Sequence, residues 1–129
     1  MKRGFVSSSV CPLLLLLICL RGSVSAAQTK KQVFTGTLVD MTCATDPKRN
    51  LSKLRSEHSR KCLLMPVCAA SGYALLMDDD KVLQFDTAGN ELARELIHKN
   101  SRVQRWRVSV DGKLESDHLS VHRIKLQAN

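Results

Sequence analysis

The chain is 129 residues long, with 43% hydrophobic and 25% charged residues and a formal net charge of +8, which suits one small globular domain and leaves no room for a second catalytic unit. Aromatic residues make up 4%, with 6 glycines and 3 prolines, so collagenous and disordered classes are excluded on composition. The charge invites a nucleic-acid partner, but no run of Lys and Arg exceeds a pair, as in Lys30-Lys31 or Arg60-Lys61, and a solvated surface is the better reading.

Lys2 and Arg3 precede the apolar run Val10 to Leu20, and the small residues Val24-Ser25-Ala26 follow. This is the pattern of a signal peptide cleaved after Ala26. It predicts an exported, periplasmic or extracellular protein whose domain is residues 27–129, with no transmembrane segment after cleavage. A lipid anchor on Cys19 is the weaker rival, because bulky Ile18 precedes it. Cleavage removes Cys11 and Cys19 and leaves Cys43, Cys62 and Cys68, an odd set in an oxidising compartment.

Val33 to Val39 is rich in β-branched residues and reads as a strand, with Gly36 marking a bend or bulge. From Asn50 to Cys62, Leu51, Leu54, His58 and Cys62 recur at three and four residues behind an Asn cap, which predicts one helix. Pro66 should end any continuation. Tyr73 to Met77 and Val82 to Asp86 read as two strands joined by a polar turn at Asp78 to Lys81. The three aspartates there lack the spacing of a calcium loop.

Asn90 is a suitable cap for a helix over Glu91 to Lys99, whose Leu92, Ala93, Leu96 and Ile97 share a face. Trp106, Val108, Val110, Gly112 and Leu114 then alternate as in a long strand with a kink at Gly112. A turn at Glu115 to Asp117 leads to a return strand that slips phase at Arg123, from Leu119 and Val121 to Ile124 and Leu126, as a β-bulge would make it do. Five strands with a helix between the third and fourth predict a mainly β fold, a five-stranded OB-like barrel. A helical Cys/His insertion separates its first two strands. Glycines in the first and fourth strands would supply the bending that closure demands.

Thr35-Gly36-x5-Cys43, His58-Ser59-Arg60-Lys61-Cys62-Leu63-Leu64-Met65-Pro66-x-Cys68, Ser71-Gly72-Tyr73 and Phe85-Asp86-x-x-Gly89-Asn90 carry a resemblance that runs from Thr35 to the carboxyl end. In these blocks the chain resembles a family of small exported bacterial proteins. The resemblance implies export and an OB-like fold, and it implies no particular activity.

Cys43, His58, Cys62 and Cys68 have the donor set of a Cys3His metal site, without the short Cys-x2-Cys knuckles of a strong zinc signature. Met41 and Met65 add thioether donors that would suit Cu(I). Export favours a plain disulfide instead, with Cys43 paired to Cys62 or Cys68 and no cofactor. A third reading has His58 activating a Cys62 thiolate for redox or nucleophilic chemistry. No other catalytic set is present, and an enzyme is not expected. Tyr73 and Trp106 are candidate surface stacking platforms, although Trp106 lies in phase with core positions. The sequence thus predicts a small exported binding or structural module for an unidentified ligand or protein partner. Zn or Cu binding is the alternative, and a thiol redox protein the second alternative.

Overall fold

A computed structural model describes residues 31–128; the expected signal peptide and its cleavage point lie outside them. The described chain runs β1 (Gln32–Asp40), α1 (Met41–Ala44), α2 (Leu51–Glu57), α3 (Arg60–Leu63), α4 (Pro66–Ser71), β2 (Tyr73–Leu76), β3 (Val82–Phe85), α5 (Thr87–Lys99), β4 (Arg107–Glu115) and β5 (His118–Leu126). Among the described residues no helix is long and apolar enough to cross a membrane. The strands form one mixed, mainly antiparallel sheet in the order β1-β2-β3-β5-β4, and β4 also pairs with β1, so the sheet closes on itself. Closure depends on a short parallel seam, where Gln84 faces His118 and Phe85 faces Leu119.

The alternating residues of the sequence form the core. Leu38, Tyr73, Leu75, Leu83, Phe85, Val108, Val110, Leu119 and Val121 are buried, joined from outside the sheet by Leu63, Ala93, Ile97 and Trp106. A smaller cluster on the other side of β1 and β2 joins Val39, Ala74 and Leu76 to Cys43, Leu54 and Cys68. The insertion is therefore packed onto the sheet by its own apolar residues. The expected bulge is present, since the β4–β5 register moves from Asp111 opposite Arg123 to Gly112 opposite Val121, which leaves His122 unmatched. His122 is exposed.

Gly36 and Gly112 mark places where strands approach too closely for a side chain. A Cβ on Gly36 would lie 2.5 Å from the Leu76 carbonyl oxygen, and one on Gly112 would lie 2.4 Å from that of Ser120. Both distances are far inside van der Waals contact. Glycine at these two positions is thus a requirement of backbone packing; the register passes Gly36 without the expected bulge, whereas it shifts at Asp111/Gly112.

Several expectations need correction. The helix over Asn50 to Cys62 is two helices, because His58 leaves α2 with extended geometry (φ −64°, ψ 115°) and Ser59 caps α3 by accepting from the Cys62 N–H. Pro66 opens a helix as well as stopping one, since it sits in the first turn of α4. The helix α5 starts at Thr87, capped by Asp86, whose carboxylate accepts from the Gly89 N–H at 2.8 Å. Asn90 works elsewhere: its Oδ1 accepts from the Tyr73 N–H at 2.6 Å.

Tyr73 and Trp106 are not surface platforms. Tyr73 is fully buried and its hydroxyl donates to the Leu63 carbonyl at 3.0 Å, while Trp106 is 1% exposed. Tyr73 fills interior space from the start of β2, and Trp106 does so from just before β4, in phase with buried Val108 and Val110. His118 is exposed at the start of β5 beside Asp117, and His98 lies in the last turn of α5 where a cation is favourable.

Candidate metal centre

The site forms where β1 ends. Asp40 closes the strand opposite Tyr73, and its Oδ1 caps α1 by accepting from the Cys43 N–H at 2.9 Å. That cap turns the chain so that Cys43 lies close to the Asp40 carboxylate. The next two ligand candidates come from α3 and α4, whose caps and Pro66 bring Cys62 and Cys68 back towards the end of β1. One ligand atom from each of Asp40, Cys43, Cys62 and Cys68 lies within 4.8 Å of all the others.

The three cysteines are free thiols. Cys43 Sγ and Cys62 Sγ are 3.6 Å apart, well beyond the roughly 2.05 Å of a disulfide. The anticipated Cys43 staple is therefore not formed here, although both expected partners, Cys62 and Cys68, have their sulfurs within 4.8 Å of its own. A tetrahedral zinc ion with Zn–S bonds of about 2.3 Å would separate two sulfur ligands by roughly 3.8 Å. The observed separation is close to that edge length.

Asp40 was not anticipated as a donor, whereas His58 was. The side chain of His58 is 2% exposed, and its Nε2 stands 3.0 Å from Asp40 Oδ2. It thus contacts the carboxylate and stands outside the four-donor group. The two buried atoms face each other at close range, and in the folded chain neither has another hydrogen-bond partner among the described residues. A buried polar atom without a partner is costly. A buried carboxylate that has only the His58 ring and three thiols around it is one that a cation would share. Met41 packs against the smaller apolar cluster, while Met65 is 45% exposed in the turn before α4.

Electrostatics points the same way. Burial pushes the Asp40 pKa up, but His58 and the Cys43 N–H pull it down further, to about 2, so the group is an anion at neutral pH. Burial raises the Cys43 thiol most, and Cys62 and the Asp40 charge add to the effect. Cys68 is raised to about 11 by burial first, then by Asp40 and Cys62. Such thiols are poor nucleophiles at neutral pH. A bound cation reverses the balance, because it favours thiolates and neutralises the carboxylate together.

One consequence is measurable in the reduced, metal-free protein. The unfolded chain releases the Cys68 proton near the ordinary pKa of 9.0 and the folded chain near 11, so between these values the unfolded state binds fewer protons. Stability present below pH 9 is then lost as pH rises towards 11. The urea midpoint should fall across this interval, and Cys68→Ala should flatten the fall; an unchanged slope in that variant would refute the assignment.

A surface cavity of about 500 Å³ adjoins the cluster, with His58 and Cys62 in its wall. In comparisons with known proteins, the chain matches no family model, no curated protein and no solved structure.

Proposed function

We propose that the protein is an exported, OB-like metal-binding module that holds one thiophilic cation, Zn2+ or Cu+, on Cys43, Cys62, Cys68 and Asp40. The observation that carries this reading is the convergence of four donor groups from β1 and three short helices on a common centre. Three sulfurs and one oxygen suit a closed four-coordinate zinc site, and the thiols alone would suit Cu+. Support for the OB-like barrel comes from the closed strand order, the parallel β3–β5 seam and the helix between β3 and β4. The amino-terminal pattern and the resemblance support export.

The metal's role in this reading is to tie the insertion to the sheet, as a disulfide would, while leaving the surface for a partner. In an oxidising setting without metal, a disulfide between Cys62 and either Cys43 or Cys68 is the competitor, since Cys62 Sγ is 3.6 Å from Cys43 Sγ and within 4.8 Å of Cys68 Sγ. Native mass spectrometry of protein isolated from the exported fraction and kept from air should show one metal per chain. Cys43→Ser, Cys62→Ser and Cys68→Ser should each lose it, whereas His58→Gln should retain it with weaker affinity. Metal-free wild type that takes up neither ion under reducing conditions would end the proposal.

A further inference from the structure

Of the four donor residues, Asp40, Cys43 and Cys68 are at most 4% exposed, while Cys62 is partly exposed. Cys62 is also the donor in the wall of the 500 Å³ cavity, together with His58. A metal travelling through this cavity therefore meets Cys62 first. The same lining carries Lys48, Arg49 and Lys53 against the single carboxylate of Glu57. Glu57 lies 3.8 Å from Lys53, and Arg49 pairs outside the cavity wall with Asp46 at 3.7 Å. Among the described residues Lys48 makes no ion pair.

That lining does not suit a bare divalent ion, which three cations would repel at the entrance. It suits a metal whose charge is already reversed by its ligands, and the cavity has the size of a small-molecule site. We infer that the cavity receives a small anionic metal chelate, a carboxylate-bearing thiol complexed to the cation, and that Cys62 takes the metal from it. The inference rests on the metal reading above.

The carboxylates of the carrier engage Lys48, Arg49 and Lys53. The Cys62 sulfur then forms its bond to the metal as one carrier sulfur–metal bond breaks, and the proton released by the Cys62 thiol passes to the departing carrier thiolate. No electron changes hands. Cys43 and Cys68 then bind in turn, each forming its sulfur–metal bond as a remaining carrier–metal bond breaks and passing its proton to the group displaced or to water, and Asp40 replaces the last carrier or water ligand.

The test follows Zn2+ transfer into the reduced, metal-free full chain from two donors: the zinc–glutathione complex, which is anionic, and a neutral chelate of matched zinc affinity. The Lys48→Glu/Arg49→Glu/Lys53→Glu variant should accept zinc from the glutathione complex about tenfold more slowly at low salt. It should match wild type with the neutral donor and reach the same final stoichiometry. In wild type, added salt should slow the anionic donor alone, which tests the inference without any variant. Equal rates from both donors in variant and wild type, with no salt effect, would overturn the docking site and leave the metal centre standing. Failure to take zinc from either donor would overturn both.

Discussion

Zn2+ added to the reduced protein, at a free concentration about a thousandfold above Kd, should raise the unfolding free energy by about 4 kcal/mol. For a domain of this size that corresponds to a rise in Tm of roughly 20 °C. The gain follows from geometry: the ligands lie on β1, α1, α3 and α4, and the unfolded chain cannot hold them together. Asp40→Asn separates charge from shape, since it keeps an oxygen to accept from the Cys43 N–H. It should lose most of the zinc-dependent gain, and in metal-free protein the alkaline loss of stability should weaken because a cause of the raised thiols is gone. A full gain retained in both Asp40→Asn and a triple Cys→Ser protein would show that zinc binds elsewhere.

Gly36→Ala and Gly112→Ala should each destabilise by about 3 kcal/mol, at the upper end of ordinary overpacking. The sign is informative. Neither glycine has a positive φ, and at such positions Gly→Ala usually stabilises by about 0.4–1 kcal/mol through the unfolded chain. Here the added Cβ would meet backbone oxygen, Leu76 O at 2.5 Å or Ser120 O at 2.4 Å. A carbonyl held in a strand cannot rotate away as a flexible side chain does. Denaturant midpoints measured on both variants decide the matter, and a stabilised variant would show that the strands can part at no cost.

The strands were legible because burial in a closed sheet leaves a period-two trace. Leu119 and Val121 followed by Ile124 and Leu126 disclosed even the bulge, which falls at His122 beside the expected Arg123. The helices of the insertion were legible only in part. Leu51, Leu54, His58 and Cys62 keep helical spacing through a break that the Asp40–His58 approach and the Ser59 cap produce, and the first of these is a contact between residues distant in sequence. Asp86 and Asn90 are both good cap residues. Asp86 prevails because its carboxylate also accepts from the Val121 N–H and the Ser120 hydroxyl on β5, which no local pattern records.

The three cysteines of the site could be read from the sequence, and its fourth donor could not. His58 competes with Asp40 for that place on residue type alone, and histidine is the commoner zinc ligand beside cysteines. A local signal for Asp40 did exist. An aspartate at the end of a β-branched run, three residues before a cysteine, is placed to cap a turn through that cysteine's N–H, and such a cap brings carboxylate and thiol together.

A closed sheet has no free edges to offer another molecule, but this one is fastened unequally. Eight residue pairs join β4 to β5 and six join β1 to β4, whereas two join β3 to β5. The Asp86 carboxylate reinforces that seam by bridging to Ser120 and Val121, so one residue is both helix cap and clasp. Opening there would unroll the sheet and present β3 and β5 as two unpaired edges, the surfaces through which β-proteins join copy to copy. Asp86 thereby keeps those two edges paired as much as it starts a helix.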